Sequence, residues 1–233
     1  MEQETVIEGD HLLRFTDLPR DAMIKENIFH ATDFSKPWAS NDVIFVVEEQ
    51  RFYVHQWILT WWSPVFDKMF SSNFAEKTKT EIPLPGKKSV EFQELMLMVY
   101  SLAERPMTIE NCLLLLKLAD EYQMEFLLQK CEDFLVAASD SIYAGRLSIH
   151  EFFPDFSPQP SKPEKEQVLA LIIIAQEYKL DKLLSDCLHE ARYFSLTELK
   201  KEYKELCDLL EPVNYCRILE GIIERMEDRF CVF

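Results

Sequence analysis

The sequence predicts an α+β chain in which a few short strands come early and an all-helical tail follows. Three observations predict it. β-Branched and aromatic residues cluster at Val43–Val47 and again at Phe52–Val54, with polar Glu48 to Arg51 between them, the pattern of a hairpin. After His55 the apolar residues Ile58, Leu59, Val65, Phe66 and Met69 recur at helical rather than alternating spacing. Finally, Ala119, Glu121, Tyr122, Leu127, Leu128 and Cys131 recur 56 residues later as Ala175, Glu177, Tyr178, Leu183, Leu184 and Cys187, so one helix–turn–helix is echoed in the tail. One echo is not a solenoid, which needs about three repeats to bury its faces.

The elements follow in order. Residues 1–39 are mixed and acidic, with a short helix expected from Asp21 to Phe29. The hairpin comes next, and Ser63-Pro64 places an N-cap and a first-turn proline where a second short helix starts. Thr80–Leu84 reads as a third strand, closed by the turn residues Pro85-Gly86. Ser89 is expected to cap a helix carrying Phe92, Leu95, Met96 and Val99 on one side. The run Cys112–Leu116 marks the next helix, Asn111–Tyr122, as buried most of the way round. Between the two copies of the echo, Pro154, Pro158, Pro160 and Pro163 mark residues 138–166 as a linker. Helices are expected at about 164–178, 181–194, 196–210 and 213–230, two of them opened by capping boxes at Ser161–Glu164 and Ser195–Glu198.

Composition excludes several functions. A net charge of −16, from 25 Lys and Arg against 41 Asp and Glu, opposes binding to a phosphate backbone, so nucleic acid is not an expected partner. The apolar run Leu169–Ala175 is far too short to span a membrane, and the acidic start Met1-Glu-Gln-Glu-Thr is unlike a signal peptide, so the expected location is intracellular, in cytoplasm, nucleus or both. Four glycines cannot form a phosphate-cradling loop. Five histidines and six cysteines show neither a metal-binding spacing nor a nucleophile constellation. No catalytic residue, metal or cofactor is expected.

The order of hairpin, V-H, S-P-V-F-x-x-M-F, E-I-P-L, F-x-x-L-M-x-x-Y, L-A-D-x-Y and C-E-x-F-L, spread over about 95 residues, resembles a BTB (POZ) domain. The tail resembles, through A-x-E-Y-x-L-x-x-L, the 3-box or partial BACK region that follows such domains, and the whole is similar to the BTB part of MATH-BTB adaptors of cullin-3 ubiquitin ligases. The resemblance implies a helical cluster capped by a small sheet at residues 40–137, a helical tail at 167–233, and protein assembly rather than catalysis. It implies a structural role for His55, hydrogen-bonded to Asp42. It also makes Phe74-Ala75-Glu76 a match to the apolar-x-Glu motif of cullin-binding members, and the echo of Tyr122 by Tyr178 suggests that the second helical pair stacks beside the first and continues the groove that begins near Phe74.

Trp57 and Trp61 stand where the family usually has small or charged residues, and four positions apart they share a helical face. Either they form a self-association patch with Ile24 and Ile28 of residues 1–39, a candidate dimerisation helix, or the N-terminal segment with Phe29 and Phe34 packs over them within one subunit. The expected partners are thus a cullin-3 type scaffold, a second copy or another BTB protein, and a substrate protein. Adaptors of this kind append a recognition domain, and residues 1–39 are too few to form one. The alternative is a BTB protein that assembles transcriptional or cytoskeletal complexes without a cullin.

Overall fold

A computed structural model describes residues 33–37, 41–71, 81–101, 105–143 and 163–230. The hairpin is β1 (Val43–Val47) and β2 (Gln50–Val54), antiparallel with Val43 opposite Val54. Two short helices follow, α1 (Gln56–Trp62) and α2 (Pro64–Phe70). β3 (Glu81–Pro83) then pairs parallel to β1 with Phe45 opposite Ile82, giving the order β2-β1-β3. Of the expected Thr80–Leu84, Thr80 lies outside the described residues and β3 ends one residue early at Pro83, which has no amide to donate and stands on an edge strand where none is required. Helices α3 (Ser89–Ser101), α4 (Ile109–Glu121) and α5 (Glu125–Tyr143) complete the first half. The α+β class therefore holds, with a small sheet on a helical body. The helix expected over Asp21–Phe29 lies outside the described residues.

Alternation in β1 and β2 turns Val43, Phe45, Val47, Phe52 and Val54 into one buried face. Phe45 and Phe52 both meet Phe92 of α3 edge-on, at 5.5 and 5.1 Å between ring centroids. Each buried phenylalanine contributes about 1.5–3 kcal/mol of transfer free energy. The two-residue turn of the hairpin holds Glu48 at φ 55°, and its carboxylate accepts both the amide and the hydroxyl of Ser89, at 3.0 and 2.7 Å. Ser89 was expected to cap α3 with its own hydroxyl; the hairpin turn caps it instead, so sheet and helix are tied directly. Two bonds from Ser89 hold the exposed Glu48 carboxyl below its ordinary value of 4.5.

The tail holds α6 (Pro163–Tyr178), α7 (Asp181–Ala191), α8 (Leu196–Lys201), α9 (Lys204–Cys207) and α10 (Pro212–Phe230). Every residue from Val168 to Ala175 is buried, because α6 is covered by α4, α5, α7 and α9. The continuous helix expected at 196–210 is broken. The amides of Glu202 and Tyr203 both bond to the Glu198 carbonyl, and Tyr203 leaves helical geometry to bury its ring. α5 runs to Tyr143, and α6 begins at Pro163, one residue before the expected start at about 164.

The 56-residue echo survives at the level of single hydrogen bonds. Gln123 and Lys179 both take positive φ, 52° and 55°. The Met124 amide bonds to the Ala119 carbonyl at 2.7 Å, and the Leu180 amide to the Ala175 carbonyl at 2.9 Å, the same helix-ending geometry in both copies. The copies are joined by Glu132 of α5, which is 7% exposed. One oxygen accepts the amides of Lys182 and Leu183 at 2.8 and 3.2 Å, capping α7, whose own N-cap residue Leu180 offers no side-chain bond.

Two outcomes are expected. Glu132→Ala should cost about 1–3 kcal/mol of stability, the range for a lost cap and unsatisfied buried amides, read as a lower urea midpoint with faster hydrogen exchange at Lys182 and Leu183. An unchanged midpoint would show that water replaces the carboxylate at no cost. For Glu48 the folded state holds the lowered pKa, so its contribution is full above the ordinary value and is lost as the pH falls below it. Glu48→Gln should therefore flatten the decline of the urea midpoint between about pH 6 and about pH 3.

Candidate functional site

The segment expected to bind a partner follows α2, and the placing of α2 is set at Ser63. This residue ends α1 and opens α2 with extended backbone, φ −143°, and it is fully buried. Its hydroxyl accepts the Phe66 amide at 3.1 Å and donates to the Tyr122 carbonyl at 2.6 Å, 59 residues along the chain. One serine thus caps α2 and satisfies a carbonyl left open at the end of α4. The Tyr122 ring stacks on Phe66 at 4.5 Å, and Phe66 in turn lies against Phe45 and Phe70. The chain leaves this stack at Ser71 and returns as β3 at Glu81. Phe74 and Glu76 fall between those anchors, outside the described residues.

Tyr122 itself is corrected by this arrangement. Expected on the binding groove, its side chain is 3% exposed and belongs to the core, where burial raises its hydroxyl pKa well above the ordinary 10. It supports the loop's anchor from beneath. Its echo, Tyr178, is half-buried at the end of α6, with a hydroxyl pushed up to about 12, first by burial and then by the carboxylates of Glu177 and Asp120. Asp120 belongs to α4, so the two turns of the echo stand side by side at one end of the helices. Two residues before Tyr178, the side chain of Gln176 donates to the Leu209 carbonyl at 2.9 Å and accepts from the Glu211 amide at 3.0 Å, tying the segment of the exposed Leu209 and Val213 to the last turn of α6.

Around α1 the aromatic residues make a surface. Trp57 is 39% exposed, Trp61 is half-buried and Trp62 is buried. Trp61 meets Trp62 edge-on at 5.5 Å, and Trp62 meets Phe126 of α5 at 5.4 Å, leaving Phe126 56% exposed. Phe126 was not singled out from the sequence, yet a signal was there. Met124, Leu127, Leu128 and Cys131 define the buried side of α5, and position 126 points away from all of them. Phe34, one of the residues expected to cover the tryptophans, packs edge-on against Tyr100 at 5.2 Å instead, while its carbonyl accepts the Tyr53 amide at 2.9 Å. Ile24 and Ile28 lie outside the described residues.

His55 is buried, as a structural histidine should be, but its partner differs from the one expected. The Tyr100 hydroxyl lies 2.8 Å from the His55 amide and 3.2 Å from Nδ1, whereas the Asp42 carboxylate accepts the Gln56 amide at 2.7 Å. No group of three or more His, Cys, Asp or Glu able to hold a metal is present among the described residues. A cleft of about 360 Å³ between α3 and α4 is walled by Glu94, Arg105 and Asn111, where the guanidinium binds the Glu94 carboxylate with both oxygens.

The sheet β2-β1-β3 set on α1 to α5 agrees with what sequence comparison finds, since the BTB/POZ domain family matches residues 32–139. Residues 32–139 are a BTB/POZ domain. The chain is similar to BTB and MATH domain-containing protein 38 of Caenorhabditis elegans, 30% identical over 77% of this chain and 40% of that protein. It is also similar to BTB and MATH domain-containing protein 36 of the same organism, 28% identical over 89% of this chain and 56% of that protein. Kelch-like protein 7 of Gallus gallus is 31% identical over 43% of this chain and 17% of its own length. The chain therefore spans about half, or less, of the curated relatives it matches. BTB/POZ domains are protein-interaction modules. No helix among the described residues is long and apolar enough to cross a membrane.

The exposed aromatics of this BTB domain lead to a direct expectation. Apolar rings of this size, exposed together, are characteristic of interfaces. The full chain should sediment as a dimer at ~100 μM, and Trp57→Ala combined with Phe126→Ala should shift it to monomer with an unchanged circular-dichroism spectrum. A wild-type chain that stays monomeric would assign the patch to another protein.

Proposed function

We propose that this protein is a substrate-adaptor or scaffold subunit of a cullin-3 RING ubiquitin ligase. The observation that carries the reading is that the segment holding Phe74-Ala75-Glu76 leaves from α2, which Ser63 and Phe66 tie to Tyr122 at the first turn of the echo, and returns at β3, which is paired with β1. In this reading Phe74 fills an apolar pocket of the cullin, Glu76 accepts charge-assisted bonds, and Tyr178 extends the contact into the tail. Tyr122 keeps the loop's base in place. Residues 40–137 form the interaction domain, 138–166 the linker and 167–233 the 3-box or BACK-like extension, all within an intracellular protein. The curated relatives named for both BTB and MATH domains support an adaptor role, and the substrate would be held by a recognition element these positions do not supply.

A second reading draws on the aromatic patch. Trp57, Trp61, Trp62 and Phe126 suit self-association or pairing with another BTB protein, and such assembly would serve transcriptional or cytoskeletal complexes without any cullin. Here Ile24 and Ile28 would add to the dimer contact.

Titration calorimetry of the full chain against the N-terminal domain of a cullin-3 separates the two readings. Phe74→Ala should weaken binding by roughly 1–4 kcal/mol, the span of hot-spot truncations, with the melting temperature unchanged. Absence of wild-type binding at micromolar concentration would remove the cullin from the proposal and leave the assembly reading.

A further inference from the structure

In the tail, far along the chain from the loop of Phe74, two arginines rest on one tyrosine. Arg192, just past α7, has its guanidinium carbon 5.0 Å from the centre of the Tyr193 ring, and Arg225 of α10 has its own at 5.8 Å. Nη2 of Arg192 donates to the Tyr193 hydroxyl at 2.8 Å, and Nη2 of Arg225 donates to the Phe194 carbonyl at 3.4 Å. The two helices approach closely because position 221 is glycine; a Cβ there would lie 3.2 Å from the Arg192 Cβ. Arg217 and Arg225 flank Gly221 one turn to either side on the same face of α10, which puts a third cation on the seam.

This cluster breaks the electrostatic habit of the rest of the molecule. Elsewhere Arg51 pairs with Glu81, and Arg105 with Glu94. Among the described residues Arg192 and Arg225 have no carboxylate partner, although Glu190, Glu224 and Asp228 stand on the same two helices. Both Nε–H groups are buried without an acceptor, a cost that the fold carries. Two like charges share one ring in a chain of net charge −16. What they present outward is donors alone. The Tyr193 oxygen already accepts from Arg192, so its own proton is free to donate, and each guanidinium keeps its remaining Nη hydrogens. Tyr193 is 50% exposed, and Leu196, three residues on, is exposed as well, so an apolar contact lies beside the donors.

We propose that Arg192, Tyr193 and Arg225 form a docking site for an acidic peptide segment of a partner protein. A glutamate or aspartate carboxylate accepts from the two guanidiniums and the tyrosine hydroxyl, and an apolar neighbour in the peptide rests on Tyr193 and Leu196. Charge complementarity selects this occupant. The carboxylate neutralises two unpaired cations, and the acidic surface around them repels the same peptide everywhere else. The site does not depend on cullin binding, since it stands on α7 and α10 and uses none of the loop residues.

The test is fluorescence polarisation of the full chain with a fluorescein-labelled, glutamate-rich peptide containing one leucine, compared with the same peptide carrying glutamine. The wild type should prefer the glutamate form by at least about tenfold, the value of one charge-assisted hydrogen bond. Arg192→Gln and Arg225→Gln should each abolish that preference. Because either arginine also packs between helices, Tyr193→Phe provides a variant that keeps the ring and removes only the hydroxyl; it should lower affinity for the glutamate peptide several-fold with an unchanged melting temperature. Equal affinity for the two peptides overturns the proposal, and so does a glutamate preference that survives in all three variants. Binding of a phosphoserine version alone, with none of the glutamate form, would also overturn it by assigning the site to phosphate.

Discussion

A carboxylate taken almost wholly out of water must find donors, and the way Glu132 finds them fixes how the two halves of this chain meet. Its side chain rises from the middle of α5, in the first half, and ends on the amides of Lys182 and Leu183 in the first turn of α7, in the second. The Gln129 side chain occupies the other oxygen at 3.2 Å, and Lys182 reaches back to Asp133 at 3.1 Å. The exposed Lys182 pair adds little by itself. The buried cap is different, because a shift of α7 by one residue would leave a charge and two amides unsatisfied together. That penalty sets the register of the tail on α5.

Once α7 is set, α6 has nowhere else to go. Its apolar residues run right round the helix, so it is stable only when covered on all sides, and α4, α5, α7 and α9 cover it. This explains why one echo of a helical pair is enough here. An isolated pair would expose a face, but the first copy is already part of a domain with its own core, and the second copy closes against it. At the outer edge the exposed apolar residues Leu209, Val213, Ile223 and Met226 remain, as does the arginine cluster, so the tail ends in surfaces with different chemistry.

The sequence was legible where periodicity and spacing act locally. The hairpin was readable because five buried positions alternate, and the echo because the residues that end a helix and start the next must repeat as a set. The C-terminal end of α8 was not. Ser195 and Glu198 do form the expected capping box, but the burial of Tyr203 that stops the helix depends on a tertiary pocket invisible in a window of sequence. Caps supplied from afar were equally hidden. Glu48 caps α3 across 41 residues and Glu132 caps α7 across 50, and neither contact leaves a local pattern. For the candidate site, the face containing Trp57 and Trp61 was legible from their spacing, whereas Phe126 was passed over because it sits in a motif read for its buried residues. Tyr122 was placed on the groove by its echo in Tyr178, and the ring packing of Phe66 put it in the core.

These contacts converge on α5 and the turn before it. Ser63 ties the base of the Phe74 loop to the Tyr122 carbonyl, the last link of α4 before that turn. Trp62 and Phe126 join α1 to the first turn of α5, and Glu132, two turns further on, carries the tail. The loop anchor, the aromatic patch and the tail are therefore referenced to one helix. A protein that binds the loop and the end of α6 together meets surfaces whose spacing is set by α5, not by the 138–166 segment that joins them in sequence. The placing of the tail then rests on register: what holds α7 on Glu132 also holds Tyr178 at its distance from α2.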